Sequence, residues 1–164
     1  VQIAAGVTAD SVGRLKAGPE KDLAEEYRKR SEALGRRAGI TRLAVTEFAE
    51  SQAGSAASRI AEEAQLIAGA LPPRGFTVVL DEAGKSMTSA DFAAFLQKRR
   101  DDGTADLAFV VGGPDGHAQA TRAGAGLVPS FGAMTWPHRL VRVLLFEQIY
   151  RAVTIMVNHP YHRA

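Results

Sequence analysis

Two short runs constrain the fold of this chain more than anything else in it: FTVVLD at Phe76–Asp81 and LAFVVGG at Leu107–Gly113. Both are apolar and rich in β-branched or aromatic residues, and both are too short for an ordinary helix. A strand with no polar face has nothing to offer water, so it belongs inside a sheet covered on both sides, as parallel strands are. The covering layers are legible around them. Glu20–Leu34 repeats Leu23, Tyr27 and Leu34 at helical spacing and stops at Gly35. Ser55–Ala70 repeats Ile60 and Ile67 before Pro72-Pro73. In SMTSADFAAFLQKRR, Ser89 reads as the N-cap, and Lys98, Arg99 and Arg100 suit the negative end of the helix dipole. LAVTEF at Leu43–Phe48 reads as a strand, and Gln2–Ala5 before Gly6 as the first one. Ala118–Ala125 is a weak helix, Val128–Thr135 fits neither type, and the chain ends in a long apolar helix. Strands alternating with helices define an α/β fold with a mostly parallel sheet flanked by helices. With no repeat and no low-complexity linker, residues 1–164 read as a single domain of ordinary size.

Composition excludes several chemistries. Cysteine is absent, so disulfides, thiolate metal sites and a cysteine nucleophile are out, which fits a reducing, cytoplasmic setting. The first residues, VQIAAGVTAD, lack the basic start and long apolar run of a signal peptide. The longest apolar stretch, Leu140–Val157, carries Arg142, Glu147 and Arg151, which marks a buried helix instead of a membrane span. The net charge of +2 names no partner. Its distribution says more: Lys21–Arg42 and His138–Ala164 are both basic, which suits either an anionic partner or, for the first, a solvated helix face.

In an open α/β sheet, ligands bind beyond the carboxyl ends of the strands. Three loops fall there: LDEAGK after Val79, VGGPDG at Val111–Gly116, and SFGAMTWPH at Ser130–His138. The glycines of the second permit either a plain turn or close backbone approach to a ligand. Their spacing is neither a dinucleotide fingerprint nor a P-loop. His159 and His162 flank Pro160 without a third partner, so no metal site is expected, and no G-x-S-x-G elbow is present. The last helix is apolar nearly all round and must be covered on more than one side. The chain's own elements or a second subunit can supply that cover, and the second choice makes a homodimer. The chain then closes with an unusual density of polar chemistry, His159, Tyr161, His162 and Arg163, which could reach a neighbouring subunit.

Taken together and in order, VVLDEAGK, FVVGGPDG, MTWPHRLVRVLLFEQIYRA and NHPYHR closely resemble the RlmH family of SPOUT-class methyltransferases, over about Phe76 to Arg163. The resemblance implies a deep trefoil knot near the C-terminus, a homodimer, and S-adenosylmethionine as cofactor. It implies methylation of N3 of a pseudouridine in 23S ribosomal RNA, with the assembled ribosome as substrate. Carried over by position, the cofactor-binding residues are Leu80, Gly112, Phe131, Gly132, Ala133, Met134, Thr135 and Trp136. Tyr161, His162 and Arg163 become substrate-binding residues that reach across the dimer. Trp136 stands where the family commonly has a smaller aliphatic residue, and Arg139 where proline is common. An imide nitrogen must lose its proton to become a nucleophile, so a base is needed. His138 and His162 are the candidate bases, and Arg142 or Arg163 a candidate stabiliser of the anion. Two rival readings stand beside this one: a non-catalytic basic RNA-binding module, and a flavodoxin-like domain that binds a small ligand as a monomer.

Overall fold

A computed structural model describes residues 5–163. The elements run β1 (Ala5–Val12), α1 (Pro19–Gly35), β2 (Ile40–Phe48), α2 (Ala56–Ala70), β3 (Phe76–Leu80), β4 (Lys85–Ser86), α3 (Ser89–Asp101), β5 (Asp106–Val111), α4 (Gln119–Ala123), β6 (Pro129–Ser130) and α5 (His138–Met156), with a 3₁₀ turn at Arg36–Ala38. Four parallel strands form the sheet in the order β2-β1-β5-β3, with Val7 between Leu43 and Leu107 and Leu80 beside Val111. β4 and β6 make a separate two-residue parallel pair.

The apolar runs behave as their composition requires. Along β5, Leu107, Phe109 and Val111 enter a large core with Phe92 and Leu96 of α3 and Val143, Phe146 and Ile149 of α5. Val110 points the other way, into a smaller core with Val12, Val79 and Ile67 of α2. Helices α1, α3 and α5 therefore cover one face, and α2 the other, with α4 beside it. Each large side chain removed from water there contributes about 1.5–3 kcal/mol.

Several expectations need correction. The first strand does not stop before Gly6 but continues through it to Val12; residues 2–4 of the expected Gln2–Ala5 run lie outside the described residues. Thr88, not Ser89, caps α3, because its hydroxyl accepts from the Asp91 N–H while the Asp91 carboxylate accepts from the Thr88 N–H. That reciprocal pair satisfies two orphan donors, which Ser89 could not do from one position later. The ambiguous stretch at Val128–Thr135 holds only β6. Finally, α5 buries Val143, Leu145, Phe146, Ile149 and Val153 against elements of its own chain, chiefly α1 and α3. Apolarity all round is thus met largely within one chain, and does not by itself call for a second.

One crossing shapes the site. Residues 126–130 run along the outer edge of β3, where Gly126 N–H donates to Thr77 O (2.9 Å), Val79 N–H to Leu127 O (3.0 Å) and Asp81 N–H to Pro129 O (3.1 Å). Lys85 N–H then donates to Val128 O at 2.8 Å. Gly84 lies so close to the Val128 carbonyl that a Cβ could not fit, so this crossing of two loops requires glycine.

Candidate active site

β3 and β5 end side by side, and their outgoing loops face the segment that feeds α5. Between them opens a cavity of about 810 Å³, within the usual range for small-ligand sites. Leu80, Val111, Gly112, Phe131, Met134, Trp136 and Val141 supply its apolar walls, and Asp81, Glu82, His117, Arg122, Thr135 and His138 its polar groups. A smaller cavity of about 220 Å³ adjoins it and shares Leu80, Pro129, Phe131 and Gly132.

The loop walls are held by charged and polar clamps. His117 is buried, and its Nε2 donates to the Leu80 carbonyl at 2.9 Å in the tautomer that carries hydrogen there. Its ring packs so tightly on Gly112 that a Cβ at that position would lie 3.0 Å from it. Burial pushes the His117 imidazole below its ordinary pKa, which favours the neutral ring. Burial also pushes the Asp81 carboxyl up, but the Ala83 N–H and the Arg122 guanidinium at 3.1 Å outweigh it, and the group stays below the usual carboxylate range. On the β5 side, Arg59 of α2 grips Asp115 through two bonds of 2.6 and 3.1 Å. The buried Glu63 lies against Gly113 while accepting from Ser51 N–H at 3.0 Å.

Of the residues singled out from sequence, Leu80, Gly112, Phe131, Gly132, Met134, Thr135, Trp136 and His138 all line the larger cavity. Ala133 is in the same loop, exposed, and does not line it. His138 opens α5, and the Glu50 carboxylate lies 3.8 Å from its Nε2, too far for a hydrogen bond. Arg142 lies one turn later and outside the cavity. Its side chain is 4% exposed, pairs with Glu47 at 2.7 Å and donates to the Gly13 carbonyl at 3.1 Å. Burial raises the Glu47 pKa, but the Leu15 N–H and Arg142 prevail and lower it overall.

Tyr161, His162 and Arg163 are not brought to this cavity. Val157 and Asn158 end α5, and Asn158 takes a left-handed conformation (φ 56°) that Asn tolerates better than most residues. His159 N–H closes back on Thr154 O at 2.8 Å, as in a Schellman turn. Pro160 cannot continue a helix, and the chain folds back over the last turns of α5. Tyr161 stacks edge-on to Tyr150 with ring centres 4.7 Å apart, and its hydroxyl donates to Glu147 at 3.0 Å. Burial, then Tyr27 and Glu147, raise its pKa above the ordinary phenol value. Glu147 pairs with Arg151 of its own helix at 2.5 Å. Along α5 the level of Glu147–Arg151 is about 14–20 Å from His138, at 1.5 Å per residue.

His117, Arg122, Glu47 and Arg59 went unnoticed in the sequence. Their partners lie far away along the chain, and a single His after GGPDG carries no periodic signal. Among the described residues, no group of three or more His, Cys, Asp or Glu could hold a metal ion, and no helix is long and apolar enough to cross a membrane.

A four-stranded parallel sheet thus carries a cavity at its carboxyl end, with a chain crossing beside it. The chain belongs to the SPOUT methyltransferases: the family described as Predicted SPOUT methyltransferase matches residues 7–162. Within that class it belongs to the RlmH family. It is 52% identical over 158 residues to the ribosomal RNA large subunit methyltransferase H of Rhodopseudomonas palustris strain HaA2, covering 96% of this chain and 99% of that one. It is 53% identical over 154 residues to the protein of the same name from Bradyrhizobium sp. strain BTAi1, covering 94% and 96%. A solved structure described as a probable methylase family protein from Haemophilus influenzae Rd KW20 matches all of this chain and 72% of its own, with a TM-score of 0.53 at 8% identity, which bears on fold alone.

Proposed function

We propose that this chain, acting as one domain over residues 1–164, methylates N3 of a pseudouridine in 23S ribosomal RNA, with S-adenosylmethionine as methyl donor. The substrate is the assembled ribosome in the cytoplasm, and the enzyme is a homodimer with a C-terminal trefoil knot. Family membership supports the reaction class. The observation that carries the site is the cavity itself, which gathers seven of the eight residues expected at the cofactor, Leu80, Gly112, Phe131, Gly132, Met134, Thr135 and Trp136.

The cavity's chemistry fits that cofactor. Its apolar walls suit an adenine, and its carboxylates, Asp81 and Glu82, suit a sulfonium better than an anion would be suited. When bound, S-adenosylmethionine supplies an electrophilic methyl group. Leu80, Gly112, Phe131, Gly132, Met134, Thr135 and Trp136 would hold it. His117 and the Asp81–Arg122 pair keep those loops at fixed separation, which is the alignment such a displacement needs. The close packing of residues 126–130 on the Gly84–Lys85 loop is compatible with a knotted path through this region.

His138 is placed to take the N3 proton at the cavity rim, with the Glu50 carboxylate 3.8 Å from its Nε2. Arg142, locked to Glu47 and Gly13, works from behind, fixing the first turn of α5 and so the place of His138. Tyr161 and His162, with Arg163, meet the nucleotide, Tyr161 by stacking and Arg163 through phosphate. Within one chain they lie too far from His138 to share a single base. Two chains, with one tail reaching the other's cavity, resolve that separation, which is what favours the homodimer. The test is transfer of labelled methyl to ribosomes lacking the modification, with naked 23S RNA in parallel. Label on one large-subunit pseudouridine is expected. Tight cofactor binding with no label on ribosomes or RNA would overturn the assignment of substrate.

A further inference from the structure

The last turns of α5 and the tail share one polar network, and its donors and acceptors can be counted. Glu147 Oε1 accepts from Arg151 Nε at 3.0 Å, from the second Arg151 nitrogen at 2.5 Å and from the Tyr161 hydroxyl at 3.0 Å. Its Oε2 accepts from Gln148 at 2.8 Å. The same guanidinium lies over the Tyr161 ring, 4.9 Å from its centre, and its remaining nitrogen is 3.3 Å from His162 Nδ1. A guanidinium has donors and no acceptor. His162 Nδ1 must therefore be the acceptor, and the hydrogen of the neutral ring sits on Nε2.

We infer that Glu147 and Arg151 are positioning residues that hold His162 as its Nε2–H tautomer, so that the tail offers the nucleotide a hydrogen-bond donor and not a base. This rests on the reading above that the tail meets the nucleotide. A ring whose Nδ1 lone pair is turned to arginine and whose Nε2 carries hydrogen presents no lone pair to the nucleotide. It can donate. When an imide nitrogen loses its proton, the negative charge spreads onto the two flanking carbonyl oxygens, and a donor aimed at either one stabilises that charge. The N3–H bond then breaks toward His138, while His162 keeps its hydrogen throughout. Of the two histidines expected to serve as bases, the structure assigns the role to one.

Two measurements test this on the full-length protein. Nitrogen-15 histidine NMR reads the tautomer without any turnover: His162 is expected with Nδ1 unprotonated and Nε2 protonated, and Arg151→Met is expected to erase that preference without changing the spectra of His117 or His138. In methyl transfer to ribosomes, His162→Gln keeps an N–H near the position of Nε2 but cannot act as a base. It is expected to stay within about threefold of the unaltered enzyme, whereas His162→Ala falls at least about tenfold, the loss of one hydrogen bond to developing charge. Finding hydrogen on Nδ1, or finding His162→Gln as weak as His162→Ala, would overturn the inference. Failure of the unaltered protein to methylate ribosomes would instead strike the functional reading, and the NMR result would still decide the tautomer.

Discussion

At its N-terminal end α5 borders an open cavity assembled from loops that are distant in sequence; at its C-terminal end it carries a filled, self-satisfied cluster. The first end is made by topology. Leu80, Gly112 and Phe131 meet because β3, β5 and the crossing segment end together, with His117 and Arg122 fixing the loops from the cavity wall and Arg59 from outside. The second end is made by local geometry. Glu147 and Arg151 are one turn apart, and the Asn158–Pro160 turn returns Tyr161 to the same helix face. On the proposed reading, one helix links two half-sites: a place to hold a cofactor, and a set of groups oriented for a nucleotide outside the same chain's cavity.

The largest expected effect is on the open end. His138→Ala is expected to lower kcat by about 10²–10³, with the melting temperature nearly unchanged because the ring sits at the cavity rim. A loss of no more than about twofold in a methyl-transfer assay would end its role as base. Next comes the closed end. Removing residues 161–164 is expected to cost about a hundredfold in turnover on ribosomes while calorimetry finds cofactor affinity within about threefold. A matching loss of cofactor affinity would erase the distinction between the two ends.

A third effect is on stability and pH. Glu47→Gln leaves the buried Arg142 without its carboxylate and is expected to cost about 2 kcal/mol at neutral pH. Because the fold lowers the Glu47 pKa, its contribution is present above the ordinary glutamate value of 4.5 and fades as pH falls through the lower folded value. The melting curves of variant and parent should therefore converge in acid; a pH-independent gap would mean the pair contributes no charge interaction. The smallest effect concerns the turn. Asn158→Gly should change stability by no more than about 0.5 kcal/mol, since glycine accepts a left-handed backbone freely. Asn158→Val should release the tail, visible as loss of the Tyr161 environment in near-ultraviolet circular dichroism.

What the sequence disclosed follows the same division. The buried strands at Phe76–Leu80 and Asp106–Val111 were legible because unbroken β-branched runs admit few alternatives, and proline and glycine punctuated the helices around them. Most of the cavity's lining is legible as loops after strand ends, and by position from the resemblance to RlmH. Interactions between distant stretches were not. His117 on the Leu80 carbonyl, Arg142 on Glu47 and Arg59 on Asp115 join residues that only the sheet order brings together. The apolar helix misled in another way, because its pattern announces burial without saying which chain does the burying. The α3 cap was misplaced by one residue, since Thr88 and Ser89 are both good caps and only the Asp91 partner decides.

On the proposed reading, the two ends of α5 meet in one active site only across two chains. The direct test is co-expression of His138→Ala with a chain lacking residues 161–164, each carrying its own affinity tag, followed by purification of the doubly tagged species. Each variant alone is expected to be inactive on ribosomes. In the mixed species, the tail of the His138→Ala chain completes the intact cavity of the truncated one, and activity should return to about half that of the unaltered enzyme, one good site of two. No recovery in a stable mixed dimer would contradict the account and return both half-sites to a single chain.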